Sequence, residues 1–488
     1  MKKMKKLNLY LLLVFAIAFS SCEDLSTDVD VNYSENPTSA DLANYAAAET
    51  FYLNFYNVVN SYNGPGLALT TMADTGSCSW GNSGMRDTSS EPRVAWNNDP
   101  TYGSGYITTA YFNSLYNNIN DINALVAKIV NDGDDPADPS PRRTESLARF
   151  AQAATLGYVA LVFDQVWLKD ETGPLNDAQS VSPAVALEWC LEKLDQAIAI
   201  ANSSSFTVTS DFLNGNSLSS SDWSKLLNTF AARLMVNMPR NATQKAAVDW
   251  SRVLAYTNNG LTQDFAIISD NWTNWGNEWV IYQIYPGWGR VDNRVINMMD
   301  PNTPDYYTDP SGLLPQSTSD DARLVSDFQY LTSQDFIPSR GIYHYSNYRH
   351  KRYDLGYHGS VWTGAMPEML KAENDLYKAE AQMRLGDLSG AAATINAGSR
   401  TSRGNLPNVA ADATAISDAI HYERTIELFN TGMGLAFFEM RGSNRLQAGT
   451  PLHFPVPGEV LLSGGFDIYT FGGSDGTAGE DYSISGWR

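Results

Sequence analysis

The stretch from Pro367 to Arg400 constrains the fold most, because it has the pattern of two short helices joined by a tight turn. Apolar and small residues recur in its first half at steps of three and four, which places them on one helical face: Met369, Ala372, Leu376, Ala379 and Met383. Gly386 can take the left-handed conformation that ends a helix, and Asp387 can cap the helix that follows. This second helix continues the small face with Ala391, Ala392 and Ile395. The stretch therefore predicts a closely packed, tetratricopeptide-like helical hairpin.

Helical spacing of apolar residues also recurs through the first half of the chain. It predicts helices over residues 41–59, 106–130, 142–166, 184–202, 222–238 and 243–256. The helical pattern is weak between 260 and 365, where Gly, Pro, Asn and Asp are scattered, so we expect loops with short strands there. The predicted fold class is all-α: one domain over 39–488, in which helical hairpins at 39–258 and 366–445 form a scaffold. Long irregular insertions at 260–365 and an irregular tail at 446–488 complete it.

Several short motifs follow one another in the C-terminal half. They are Ala379-Glu380-Ala381, Gly386-Asp387, Asn396, Arg400, Glu423-Arg424, Glu427-Leu428, Glu439-x-Arg441 and Pro455-x-Pro457-x-Glu459. In this order the chain resembles the SusD/RagB family of outer-membrane nutrient-binding lipoproteins. The family's usual Asn-Pro-Gly-Tyr-like tail is absent, which indicates a divergent branch. The resemblance implies a lipoprotein that captures a nutrient and delivers it to a SusC-like TonB-dependent outer-membrane transporter.

The first residues have the pattern of a lipoprotein signal peptide. Residues 1–21 combine four lysines with an apolar run that is too short to span a membrane, and Phe19-Ser20-Ser21-Cys22 resembles a lipobox. We therefore expect lipidation of Cys22, a polar tether over 22–38 and a lipid anchor in the outer membrane, exposed at the cell surface. Glu23-Asp24 resembles the acidic export tag of surface lipoproteins of the Bacteroidetes. The alternative is an ordinary secretory signal followed by an incidental cysteine.

One segment of the insertion is rich in tryptophan. Trp272, Trp275, Trp279 and Trp288 fall within 17 residues, among Asn, Gln, Glu and Tyr side chains. Flat aromatic faces can stack on sugar rings while amides and carboxylates bond the hydroxyls, and the same platform could hold a peptide. The segment therefore predicts a binding site for an oligosaccharide or a peptide. Any one of these tryptophans could equally pack the insertion onto the helices.

A second irregular, glycine-rich loop runs from residue 74 to 98 and also carries tryptophans. In the SusD-like family, loops of these two regions build the ligand face over the helical scaffold. The resemblance therefore implies that Trp80, Arg86, Trp96 and Asn98 approach the 272–288 segment.

Charge and missing motifs narrow the function further. The formal net charge of −21 argues against nucleic acid as a partner, because no basic patch could dominate such a field. The sequence has no nucleophile, zinc or phosphate-loop signature, so we expect a binding protein without a cofactor rather than an enzyme. Glu423, Glu427 and Glu439 we interpret as members of ion pairs between helices. Three alternatives stay open: a RagB-like peptide binder, a lipoprotein glycoside hydrolase, whose paired carboxylates a sequence does not reveal, and a transporter lid with no ligand.

Overall fold

The computed structural model describes residues 51–78, 80–133, 140–210, 214–306, 314–332, 346–354, 363–473 and 482–487. The predicted signal peptide, Cys22 and the tether lie outside these residues. Within them the chain is mainly helical and its strands are short, which confirms the predicted all-α class. In the described part, no helix combines the length and the apolar character needed to cross a membrane.

The N-terminal half forms a row of packed helices. They are α1 (Phe51–Val59), α2 (Gly66–Met72), α3 (Met85–Thr88), α4 (Tyr106–Asp132), α5 (Ser140–Val162), α6 (Pro183–Ser203), α7 (Ser220–Asn237), α8 (Ala242–Ala246) and α9 (Trp250–Asn258), with a 3₁₀ turn at Asn176–Ala178. Helix α4 packs against α5, α5 against α6, α6 against α7, and α7 against α9. Ser182 and Pro183 show why α6 starts where it does: the serine hydroxyl accepts a hydrogen bond from the N–H of Val185, and proline fills the first helical position.

The strands form two-stranded antiparallel ladders. They are β1 (Gly76–Ser77) with β7 (Arg290–Val291), β2 (Lys169–Asp170) with β3 (Gly173–Pro174), β4 (Thr207–Val208) with β5 (Leu218–Ser219), β6 (Phe265–Asp270) with β10 (Thr363–Met369), and β8 (Phe328–Tyr330) with β9 (Tyr348–His350). The 260–365 insertion also contains three short helices in its described part, namely α10 (Glu278–Ile284), α11 (Asn293–Met299) and α12 (Arg323–Ser326). The β6–β10 ladder joins the two ends of this insertion.

The C-terminal half continues the helical row. It contains α13 (Lys371–Arg384), α14 (Leu388–Asn396), α15 (Ser399–Ser402), α16 (Ala413–Ile426), α17 (Leu435–Gly442) and α18 (Gly458–Ser463). Helix α13 packs against α9, so the row passes directly across the insertion. Gly386 has a φ of 89° and the Asp387 carboxylate accepts the N–H of Gly390, so the predicted α13–α14 turn is confirmed. Met369, predicted to lie on the face of this helix, instead lies outside α13, because it still pairs with Phe265 in the β6–β10 ladder.

Buried charges join these helices. The Arg323 guanidinium donates to the carboxylates of Asp321, Glu423 and Glu427 at 2.7–3.1 Å. The Arg424 guanidinium donates to Glu380 at 2.7 Å. These contacts connect separate elements in the core, which supports the interpretation of the glutamates as members of structural ion pairs.

Candidate functional site

An open groove lies where the 74–98 region meets the insertion. Its volume is about 470 Å³, and we call it the aromatic groove. Its walls combine aromatic and aliphatic side chains with one carboxylate and one amide: Tyr62, Asn82, Trp272, Glu278, Ile281, Tyr282 and Trp288. A groove with several aromatic faces and a few polar groups is suited to hold a ligand in one orientation.

The loop between β6 and α10 presents Trp272 to solvent. The Asp270 carboxylate at the end of β6 accepts the backbone N–H groups of Asn274 and Trp275 at 3.0 and 3.1 Å. Trp272 itself has a φ of 59°, in the left-handed region. Its indole covers Gly276, where an added Cβ would lie 2.6 Å from the indole nitrogen. The ring remains 44% exposed, so one part of it is available to a ligand.

Trp275 and Trp279 anchor the same loop in the core. They are 1% and 3% exposed. The Trp279 ring lies over Gly66, where an added Cβ would be 2.9 Å from the indole Cγ, and its Nε1 donates to Asn60 Oδ1 at 3.1 Å. Neither ring has a free face on which a ligand could stack. The alternative of core packing therefore applies to these two tryptophans, and we remove them from the candidate site.

A tight turn after α10 positions Trp288. The N–H groups of Trp288 and Gly289 both donate to the carbonyl of Tyr285 at 3.0 Å. Only glycine fits at position 289, because a Cβ there would lie 2.1 Å from the carbonyl oxygen of Gln283. The Trp288 ring stacks on Tyr282 with centroids 5.8 Å apart, and it is 40% exposed. Trp288 therefore forms the second accessible aromatic face of the groove.

Trp80 connects the two loop regions. Its indole N–H donates to the carbonyl of Gly287 at 2.6 Å, and the half-buried ring packs against the core. Trp80 thus reaches the 272–288 segment and supports the turn that carries Trp288. It is not among the described residues that line the groove.

Tyr62 and Glu278 supply polar groups. The Glu278 carboxylate accepts the backbone N–H of Tyr62 at 2.5 Å, and the Ser61 hydroxyl donates to it at 3.3 Å. Burial raises the pKa of Tyr62, so its hydroxyl keeps its proton at neutral pH and can donate. The Tyr62 ring lies 6.1 Å from that of Tyr282. The sequence pattern does not single out Tyr62, Asn82 or Tyr282 as groove residues. Only Tyr282 carries a local signal, since it lies between the tryptophans at 279 and 288.

Trp96 and Asn98 have structural roles. The Trp96 ring is buried against Tyr102 and Phe454, with centroids 5.4 and 4.8 Å away. The buried Asn98 amide donates to the carbonyl of Val456 at 2.9 Å and accepts the N–H of Gly458 at 3.0 Å. Both residues tie the loop to the C-terminal tail, so they also leave the candidate site.

Arg86 is exposed in the short helix α3. It is absent from the described lining of the aromatic groove. Of the eight side chains predicted to contact a ligand, Trp272 and Trp288 are therefore the two that line the groove.

The described lining of the groove is poor in acidic side chains. Glu278 is the only carboxylate in its described lining, whereas glycoside hydrolysis generally requires two carboxyl groups across the scissile bond. Among the residues that the structure describes, no three His, Cys, Asp or Glu side chains lie close enough to hold a metal ion.

A second cavity, of about 350 Å³, lies between α4, the β2–β3 hairpin and α18. Its lining is mainly apolar, including Phe112, Trp167 and Phe466, and Lys169 is the charged side chain in its described part. The described lining of this cavity contains no amide or carboxylate side chain that could direct a hydroxyl-rich ligand.

No protein-family model and no curated protein matches the chain. Solved structures do match. A SusD superfamily protein from Parabacteroides distasonis has a TM-score of 0.62 at 12% identity, covering 87% of this chain and 98% of that chain. A SusD homolog from Bacteroides thetaiotaomicron has a TM-score of 0.59 at 17% identity, covering 86% and 96%. Surface glycan-binding protein A from Bacteroides uniformis has a TM-score of 0.56 at 14% identity, covering 85% and 92%. These likenesses agree with the observed helical row, and we conclude that the chain has the fold of the SusD superfamily.

Proposed function

We propose that this protein is a cell-surface glycan-binding lipoprotein that captures an oligosaccharide in the aromatic groove. The observation that carries the proposal is the pair of exposed indoles, Trp272 and Trp288, in the wall of one groove that also contains Glu278.

Each part of this lining has a task in the proposed complex. The indole faces offer flat apolar surface to the C–H faces of sugar rings, with little conformational entropy to lose because the rings are already held in place. The Glu278 carboxylate, the Asn82 amide and the Tyr62 hydroxyl can bond sugar hydroxyls in fixed directions. Binding is passive, and its modest strength lets the ligand leave.

A glycan is favoured over a peptide by the names of two similar structures. One is described as a surface glycan-binding protein and another, from Bacteroides vulgatus, as a SusD-like carbohydrate-binding protein. The recipient we propose is a SusC-like TonB-dependent transporter, and the membrane attachment we propose is the lipidated Cys22. Replacing Cys22 by Ser should abolish incorporation of radiolabelled palmitate into the protein, and label retained by the variant would argue against the anchor.

Ligand binding by the groove is measured by calorimetry with a panel of hexasaccharides and, in parallel, with a set of pentapeptides. The hexasaccharides are those of glucose with α-1,4, β-1,4 or β-1,3 linkages, together with the hexamers of xylose and of mannose. Trp272→Ala and Trp288→Ala should each weaken binding of the tightest oligosaccharide by roughly 30-fold, as expected for an aromatic anchor that contributes about 2 kcal/mol.

Trp167→Ala, in the second cavity, is the matched control and should bind like the wild type. Three results would contradict the proposal: loss of binding in the Trp167 variant alone, binding of peptides with no binding of glycans, or release of shortened products by the pure protein. The last result would indicate a hydrolase.

A further inference from the structure

Glu368 lies in the core and faces a cation that it shares with another acid. The Arg233 guanidinium donates to both carboxylate oxygens of Glu373 at 2.7 and 2.8 Å, whereas Glu368 Oε1 lies 3.7 Å from Arg233 Nη1. The Tyr158 hydroxyl accepts from Arg233 at 3.2 Å, and the Tyr377 hydroxyl donates to Glu373 at 2.9 Å. Two buried carboxylates thus face one guanidinium, and Glu373 holds it more closely.

The other oxygen of Glu368 faces Asn60, in the connection between α1 and α2. Asn60 Nδ2 donates to Glu368 Oε2 at 3.3 Å. Asn60 Oδ1 accepts from Trp279 Nε1 at 3.1 Å and from Asn277 Nδ2 at 2.9 Å, while the Asn60 carbonyl accepts the N–H of Glu278 at 3.0 Å. Asn60 therefore holds the start of α10 by three contacts, two through its side-chain amide oxygen and one through its backbone carbonyl.

The Glu368 carboxylate on one side and the Trp279 and Asn277 donors on the other together set the direction of this amide. With Nδ2 facing Glu368, the Asn60 oxygen meets two donors. In the reverse orientation, the NH₂ group would meet the N–H groups of Trp279 and Asn277, and the amide oxygen would meet a carboxylate. One orientation thus satisfies every partner and the other satisfies none of them.

We propose that Glu368 is a positioning residue of the aromatic groove, which acts through Asn60 to hold the start of α10, and with it Glu278, in the geometry that binds the ligand. The inference rests on the proposed function and deepens it, because it makes ligand affinity depend on the charge of a buried side chain that does not line the groove.

The charge of Glu368 changes near neutral pH. Burial raises its pKa to about 7, with the neighbouring Glu373 adding to the rise, and Arg233 and the Asn60 hydrogen bond opposing it. A carboxylate accepts a hydrogen bond roughly twice as strongly as a neutral group does. Protonation below pH 7 therefore weakens the bond that orients Asn60, and we expect ligand affinity at pH 6 to be roughly fivefold lower than at pH 8.

A ligand-free measurement tests the relay directly. Hydrogen–deuterium exchange of the full chain is followed at pH 6 and pH 8, with each rate corrected for its intrinsic pH dependence. In the wild type, peptides from 271–289 should lose protection at pH 6, whereas peptides from 106–132 should not. In Glu368→Gln, protection of 271–289 should be low at both values of pH.

Glu380→Gln is the matched control, because Glu380 is a buried carboxylate that bonds Arg424 and Lys245 and has no contact with the groove. This variant should keep the pH response of the wild type. Either of two results would overturn the inference. The first is wild-type protection of 271–289 that is independent of pH, and this comparison tests the role of Glu368 even when a variant does not fold. The second is a Glu368→Gln variant that retains the pH response of the wild type.

The tightest oligosaccharide of the panel provides the second measurement. Its affinity should fall at pH 6 in the wild type and be independent of pH in Glu368→Gln. If no oligosaccharide binds, the proposed function fails, and the exchange experiment alone decides the role of Glu368.

Discussion

Replacing Gly276 by Ala should displace the indole of Trp272 without removing it. An added Cβ would lie 2.6 Å from the indole nitrogen and 2.7 Å from Cδ1, and real Cβ atoms do not approach other heavy atoms that closely. The backbone of Gly276 has no positive φ, so alanine introduces no conformational strain at this position. The exposed ring should therefore move outward, by about 1 Å, to reach ordinary contact at roughly 3.6 Å.

This displacement sets the size of the expected effect. A misfit of about 1 Å between the displaced ring and the ligand surface forfeits a quarter to a half of their dispersion attraction. If the whole Trp272 ring contributes about 2 kcal/mol to binding, the loss is about 0.5–1 kcal/mol, which corresponds to a two- to fivefold weaker Kd. The effect should therefore lie between those of the wild type and Trp272→Ala.

Calorimetry with the tightest oligosaccharide of the panel measures this difference. Gly103→Ala is the matched control, because no heavy atom lies within 4 Å of a Cβ at that position. The control should bind like the wild type, and both variants should unfold at similar urea concentrations. Wild-type affinity in Gly276→Ala would refute the reasoning, since it would mean that the position of the Trp272 ring does not matter for the ligand.

Three further predictions concern the free energy of unfolding, which urea unfolding measures. Trp275→Ala should lower the free energy of unfolding by about 3–5 kcal/mol, because its ring is buried, whereas the exposed Trp272→Ala should change it by about 0.5 kcal/mol or less. Equal losses of stability in these two variants would contradict the assignment of Trp275 as a core anchor and Trp272 as a ligand-facing residue. The stability of the wild type relative to Glu368→Gln should fall by about 2–3 kcal/mol from pH 5 to pH 7, because folded Glu368 keeps its proton up to about pH 7 and the unfolded chain releases it near 4.5. A difference that is flat or rises over this range would exclude the raised pKa. Arg323→Met should cost about 3–5 kcal/mol by removing the close guanidinium of the buried Asp321 and Glu423, while Arg445→Met, at an exposed pair, should cost less than about 1 kcal/mol.

Local sequence was sufficient for the scaffold. The α13–α14 hairpin is specified by neighbours in the chain, since Gly386 and Asp387 determine the turn and the Ala391 and Ala392 side chains face α13 across a small-residue contact. The start of α13 was placed too early because β-pairing with Phe265, about a hundred residues away, keeps Met369 extended. Helix propensity at the end of a helix gives no information about a strand partner that is distant in the sequence.

The groove could be predicted only in part. Trp272, Trp275, Trp279 and Trp288 have similar polar neighbours in sequence, yet two are buried and two are exposed. The burial of Trp279 depends on residues more than 200 positions away in the sequence. Gly66 provides a surface for its ring, and Asn60 provides an acceptor for its indole N–H. Tyr62 enters the groove for the same reason, through the connection between α1 and α2, and no pattern within the tryptophan-rich segment points to it.

The contact between α9 and α13 has a consequence for chimeric proteins. Since these helices meet directly, exchanging residues 259–370 leaves the α9–α13 contact itself in place, provided that the donor supplies equivalents of Glu368 and Arg323 for the scaffold's Arg233 and Glu423. Such a transplant would nevertheless carry Trp272 and Trp288 away from Asn60 and Trp80, whose hydrogen bonds hold α10 and the turn at Gly287. A graft that is meant to transfer ligand preference must therefore include residues 60–98 of the donor as well.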